Sequence, residues 1–276
     1  MTQAPPARHD RPLQAGLGGL RDALGLFSVL PVRAAPAIGR RKAVRAVLWL
    51  PVAGALLAVP AAGVLLVVEA GGHSAPRRLL GAALAVGVLA LLTRGLHLDG
   101  LADTADGLGS RRPRDEALAI MRRSEVGPFG VAALMCTVLV QITALATVHP
   151  GWPGAGAVLL AAVTGRVAVV LATGPGSPAA RPGGFGALVA AGTTARARAT
   201  AGAAALVVAA GTAAAAWGPV AALRAAAAML AGLLAADLLR RIAVRRLGGM
   251  TGDVFGALIE VAAAAALLAL ALASPG

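Results

Sequence analysis

Long apolar runs, separated by short polar breaks or breaks containing glycine and proline, dominate the chain. A helix needs about 20 apolar residues to cross the hydrocarbon core of a bilayer, and runs of that size predict about seven spanning helices, at 44–69, 79–98, 128–148, 156–174, 200–217, 220–240 and 253–273. Only Trp217, Gly218 and Pro219 part the fifth from the sixth, so these two are expected to form an antiparallel hairpin. Ahead of the first span, Leu13, Leu17, Leu20, Leu24 and Phe27 recur at spacings of three and four. That period predicts an amphipathic helix lying on the membrane surface or against the bundle. Arg8 and Arg11 before it, with Ala35, Pro36 and Ala37 after it, imitate a signal peptide, but Arg21 and Asp22 interrupt the apolar core that a signal needs. The expected fold is all-α: a polytopic membrane helix bundle forming one membrane-embedded domain over 1–276, with a disordered tail at 1–12.

Composition supports this picture without deciding it. Hydrophobic residues make up 58% of the chain and mean hydropathy is +0.79, against an apolar share of ~45–50% in soluble domains. Abundant alanine raises such values in any fold, so the length of the uncharged runs decides. The net charge of +13 has a topological meaning. Basic residues lie between apolar runs, not in one patch with interleaved aromatics, which argues against a nucleic-acid surface. Cytoplasmic loops are enriched in Lys and Arg, and an internal N-terminus leaves only Arg77, Arg78 and Arg224 on outside loops. Cys136 is the only cysteine, so no intrachain disulfide or cysteine metal cluster forms.

Acidic residues are scarce, 12 in all, yet Asp99, Asp103 and Asp106 crowd into HLDGLADTADGLGS, His97 to Ser110, where the second apolar run ends. Their spacing puts them on one face of a helix. Neighbouring carboxylates repel and resist dehydration, and a divalent cation such as Mg²⁺ relieves both, which makes the three candidate metal ligands. A solvated acidic helix end balanced by Arg111, Arg112 and Arg114 is the competing reading. His97, a turn or less earlier, is a candidate base or ligand, or a hydrogen-bonded structural group.

Further along, AIMRRSEVGPFG places Arg122, Arg123 and Ser124 just before a new span, where guanidinium and hydroxyl groups suit phosphate oxygens; a plain positive-inside flank would look the same. Arg166 sits mid-run, where a charge has to face protein, water or a partner such as a phosphate or an intramembrane Asp. RPGGFG, Arg181 to Gly186, reads as a flexible cytoplasmic loop able to close over a substrate. In GGMTGDVFGALIE, Gly248 and Gly249 break the preceding segment, Thr251 is placed to cap the next helix, and the first N–H groups there suit a phosphate. Asp253 and Glu260 lie on the inner part of that helix, and a Glu within an apolar helix points to function. The derived topology puts these three stretches on one side, whereas a transporter concentrates its polar residues near the bilayer midplane.

HLDGLADTADG, then IMRRSEVGPFG, then GGMTGDVFGA with Glu260, resemble the cobalamin synthase family, the adenosylcobinamide-GDP ribazoletransferases, from about Leu26 to Glu260. Arg166 and RPGGFG also fall where that family has a helix arginine and a Gly-rich loop, while Arg123 and Glu125 reverse the charges that members often carry around Ser124. The resemblance implies a multi-pass enzyme of the prokaryotic inner membrane, active at the cytoplasmic face, with Mg²⁺ as cofactor at Asp99, Asp103 and Asp106. Its implied substrates are adenosylcobinamide-GDP and α-ribazole or α-ribazole 5′-phosphate; the ribose 3′-hydroxyl attacks the cobinamide phosphate and GMP leaves. His97, Asp253 and Glu260 become catalytic candidates, and Arg122, Ser124, Arg166, Arg181 and Thr251 substrate-binding ones. The lipid bilayer is the expected partner, nucleic acid is not, and a homo-oligomer is compatible with the sequence. A CDP-alcohol phosphotransferase is the enzymatic alternative, but Asp103 stands where its pattern requires Ala. A small cation-coupled permease is the non-enzymatic one.

Overall fold

A computed structural model describes residues 12–32, 38–148 and 154–274; the expected tail, apart from Pro12, lies outside the described residues. The described chain is helical throughout: α1 (Pro12–Phe27), α2 (Arg40–Ala70), α3 (Ala75–Leu92), α4 (Leu96–Gly109), α5 (Arg114–Ile120), α6 (Pro128–Thr147), α7 (Gly154–Leu171), α8 (Gly184–Val189), α9 (Ala195–Trp217), α10 (Pro219–Leu247) and α11 (Gly252–Ala273). Of these, α2, α3, α6, α7, α9, α10 and α11 are the 7 helices long and apolar enough to cross a membrane, each overlapping one of the predicted apolar runs.

Helices α7 and α11 form the centre, with α2, α10, α4 and α6 packed around them. Lipid tails are as apolar as leucine, so helices in a bilayer associate through close backbone approach at small residues. Glycines provide that approach here. A Cβ at Gly165 would lie 2.7 Å from the Ile259 carbonyl oxygen, and one at Gly232 would lie 2.5 Å from that of Ala262. The amphipathic α1 lies against the bundle: Arg45 pairs with buried Asp22 at 3.2 Å, and Arg94 Nη2 donates to the Leu26 carbonyl at 3.1 Å.

The second predicted span, 79–98, is in fact two elements. Helix α3 stops at Leu92 because Arg94 and Gly95 adopt left-handed φ values of 56° and 65°. The Gly95 N–H donates back to the Ala90 carbonyl at 2.8 Å, closing the helix end. The acidic motif therefore rides on its own helix, α4. In the opposite sense, α10 runs to Leu247, past the predicted end at 240. Asp237 bonds Arg240 and Arg241, each at 2.7 Å and one turn away, so the helix continues beyond its apolar stretch. The turns at Gly71–Ser74 and Gly218 lie at one end of the bundle; α4, α5, α8 and the connections 172–183 and 248–251 gather at the other.

Candidate active site

The link from α10 to α11 runs alongside the link from α7 to α8. The Met250 N–H donates to the Pro178 carbonyl at 2.7 Å, and the Ala180 N–H donates to the Met250 carbonyl at 3.0 Å. Gly248 and Gly249 have φ of 78° and 153°, and a Cβ on Gly249 would collide with the Pro178 carbonyl. Only glycine permits this pairing, and the pairing sets Arg181 beside the start of α11. There Arg181 Nη2 donates to Asp253 Oδ2 at 3.0 Å. Thr251 Oγ1 donates to the same oxygen at 3.1 Å and accepts the Val254 N–H at 3.2 Å, so it caps α11 as its position in the sequence suggests.

Helix α4 crosses α11 at close range. A Cβ at Gly100 would stand 2.6 Å from the Asp253 carbonyl oxygen, and one at Gly256 would stand 3.1 Å from the His97 carbonyl oxygen. The crossing brings Asp99 and Asp103 towards Asp253. Burial first, and then the neighbouring Asp99, Asp253 and Asp106, push the Asp103 carboxyl up to about 7 against the opposing pull of Arg181. Negative charge here exceeds what one guanidinium balances. Hard carboxylate oxygens with surplus charge suit a hard divalent cation. Among the described residues no three acids converge closely enough to enclose an ion. Mg²⁺ commonly takes one or two carboxylates and fills its shell with water and phosphate. Arg181 Nε is buried without an acceptor among the described residues, a donor that a phosphate oxygen would satisfy.

Asp106, the third aspartate of the motif, has backbone partners of its own. It is buried, and its two oxygens accept the Gly127 N–H at 2.7 Å and the Gly130 N–H at 2.9 Å. These are unpaired donors at the start of α6, where the helix dipole favours a carboxylate. A Cβ on either glycine would come within 2.5 Å of an Asp106 oxygen. Equal angular placement on α4 thus did not give the three aspartates equal partners.

The proposed catalytic set divides in two. Asp253 belongs to the acidic group, whereas His97 and Glu260 meet deeper in the bundle. His97 Nδ1 lies 3.5 Å from Arg166 Nη2 and 3.9 Å from Glu260 Oε1. Gln141 Nε2 donates to Glu260 Oε2 at 2.8 Å. The four border a cavity of about 50 Å³. Burial and then the neighbouring Arg166 push the His97 pKa well down, so the imidazole is neutral. Arg166, expected to hold substrate, is 5% exposed and has Glu260 and His97 as neighbours among the described residues. A charge inside an apolar helix needs such compensation.

Arg122 and Ser124 lie exposed between α5 and α6, and no described contact joins them to the acidic group. RPGGFG is not a free flap: Phe185 packs edge-on against Phe27 of α1 at 5.1 Å and Phe255 of α11 at 6.2 Å between ring centroids. Sequence reasoning missed Gln141, whose signal is an amide in an otherwise apolar span, and Arg114 as a contact residue.

Fold and site together define a polytopic membrane protein with an acid- and arginine-lined centre at one end of its bundle. The sequence matches the family described as cobalamin-5-phosphate synthase over residues 19–271. It is 44% identical to an adenosylcobinamide-GDP ribazoletransferase of Frankia casuarinae over 264 residues, 92% of this chain and 95% of that one. Proteins of the same name from Nocardioides sp. and Bradyrhizobium diazoefficiens are 37% and 35% identical, covering 91% and 87% of this chain and 97% and 88% of their own. No solved structure gives a significant match. The chain belongs to the cobalamin-5-phosphate synthase family, and it is a multi-pass membrane transferase of cobalamin biosynthesis. Membership sets aside the CDP-alcohol phosphotransferase and permease alternatives.

Proposed function

We propose that this chain joins adenosylcobinamide-GDP to α-ribazole or α-ribazole 5′-phosphate, releases GMP and requires Mg²⁺. The observation that carries the reading is Arg181 Nη2 meeting Asp253 Oδ2 at 3.0 Å where α4, which bears Asp99 and Asp103, crosses the start of α11. Bound through Asp99 and Asp103, Mg²⁺ would neutralise charge on the diphosphate and on departing GMP. Arg181 offers a planar fork to a phosphate oxygen. Asp253 uses Oδ2 for Arg181 and Thr251, and no described hydrogen bond engages Oδ1. That free oxygen takes the proton of the attacking ribose hydroxyl. The new bond joins the ribose oxygen to the cobinamide phosphorus; the bond from that phosphorus to the bridging oxygen breaks, and the oxygen leaves with GMP. His97, Arg166, Glu260 and Gln141 hold α4, α7, α11 and α6 in register beneath the reacting groups.

The reacting end faces the cytoplasm in this reading, because Arg40, Arg41, Arg112, Arg122, Arg245 and Arg246 flank it and inner loops collect such residues. Membranes carrying the chain, supplied with adenosylcobinamide-GDP, α-ribazole 5′-phosphate and Mg²⁺, should yield a cobamide and GMP in equal amounts, and EDTA should stop both. Failure to release GMP would overturn the assignment.

A further inference from the structure

We infer that Arg114 is a positioning residue for the transferase centre: it clamps together the two chain segments that present Arg181 and Asp253. The inference rests on the function proposed above. Arg114 opens α5, an element that carries none of the reacting groups. Its Nε donates to the Leu247 carbonyl at 2.9 Å and its Nη2 donates to the Ala180 carbonyl at 2.6 Å. Leu247 is the last residue of α10, so its carbonyl has no partner within the helix and lies at the negative end of the dipole. Ala180 immediately precedes Arg181. One guanidinium thus fixes the point where α10 hands over to the Gly248–Thr251 link and the point from which Arg181 departs.

Local geometry is built around that guanidinium. Gly248 takes a left-handed φ of 78°, and a Cβ there would collide with Arg114 Nε. The Met250 bridge to Pro178 and Ala180 lies directly beyond, so clamp and bridge act on the same two segments. Asp115 is a weak competitor, 3.8 Å from Arg114 Nη1 and 93% exposed. Lysine keeps the charge but, as a single ammonium on a flexible stem, lacks the rigid fork that reaches two carbonyls. Loosening the clamp shifts Arg181 against Asp253, and a misplacement of ~1 Å costs on the order of 100-fold in rate.

The test compares wild type with Arg114→Lys, Arg114→Gln, Arg181→Ala and the Arg114→Gln/Arg181→Ala pair, in membranes and with detergent thermal unfolding alongside. We expect each Arg114 variant to lower kcat by about 10- to 100-fold, with Lys the milder and KM for α-ribazole 5′-phosphate unchanged. In the pair, the Arg114 change should add nothing to the loss caused by Arg181→Ala, because residues acting as one unit are not additive. Arg112→Ala, on the exposed neighbour, should behave as wild type. Full turnover in both Arg114 variants, or losses that multiply in the pair, would overturn the inference. A variant that fails to insert is read through Arg114→Lys, which keeps the charge. Wild type that releases no GMP defeats the proposed function; active wild type with indifferent Arg114 variants defeats the clamp alone.

Discussion

Arg181 Nη2 lies 3.0 Å from Asp253 Oδ2, although 72 residues separate them in the chain. A loop residue and a helix start meet because glycine backbone lets their two segments touch. If Asp253 is the proton acceptor, Asp253→Asn should lower kcat by about 10²- to 10⁴-fold, the usual range for a lost general base. Arg181→Lys keeps a cation without the fork, so its loss should be smaller, about tenfold. Initial rates of GMP release at matched protein levels measure both, and wild-type rates in Asp253→Asn would remove it as the base.

Asp106 should matter for stability more than for chemistry. Asp106→Ala strands the part-buried Gly127 N–H and the buried Gly130 N–H at the start of α6, and the buried one alone costs roughly 1–3 kcal/mol. Asp106→Asn retains one acceptor oxygen and should cost less. Thermal unfolding in detergent gives the order, and an unchanged midpoint in Asp106→Ala would show that the cap is dispensable.

Much of this arrangement was legible in the sequence, and the remainder was hidden for identifiable reasons. Uncharged runs gave the spanning helices because bilayer thickness sets their length. The break at Arg94 and Gly95 was not visible, since HLDG continues a helical pattern and only the left-handed backbone interrupts it. Helical spacing placed Asp99, Asp103 and Asp106 on one face, but spacing does not reveal which neighbour each carboxylate meets, and the start of α6 claimed Asp106. The pattern GPFG held that signal, as two glycines three apart with a donor-less proline after the first. Asp253 and Glu260 were readable as important residues, yet the rise along α11 separates them into different clusters. Arg114 looked like one more basic flank because its acceptors are backbone carbonyls, which leave no trace in side-chain identity.

The crossing of α4 over α11 depends on missing side chains. Gly100→Ala would bring a methyl within 2.6 Å of the Asp253 carbonyl oxygen, so α4 has to move and carry Asp99 and Asp103 with it. Gly256→Ala meets the His97 carbonyl at 3.1 Å and requires a smaller shift. Both variants should lose turnover, Gly100→Ala by at least 10-fold, on the order of what a sub-ångström misplacement costs. A Gly100→Ala enzyme with wild-type kcat would show that the crossing tolerates slack.

Metal binding should depend on pH through Asp103. Its carboxyl sits at about 7 in the folded chain against an ordinary 3.8, so the folded state favours the proton. The associated stability is present below about pH 4 and is lost as pH rises through 7, where like charges accumulate. A divalent cation reverses that penalty by pairing with the charged form. Mg²⁺ affinity should therefore weaken about tenfold for each pH unit below 7 and level off above it. Thermal stabilisation by Mg²⁺ should be larger at pH 8 than at pH 6, and Asp103→Asn should flatten the profile. A shift independent of pH would exclude Asp103 from the ion's surroundings.

The most direct measurement is GMP release by membranes carrying wild type, Asp99→Asn or Asp103→Asn, followed across a Mg²⁺ titration with adenosylcobinamide-GDP and α-ribazole 5′-phosphate. Wild type should show saturable, Mg²⁺-dependent release matched by cobamide, and both variants should insert normally yet stay near background at every Mg²⁺ concentration. Wild-type turnover by Asp103→Asn, or release that persists in wild type after the metal is stripped, would contradict a metal-assisted transfer at this acidic centre.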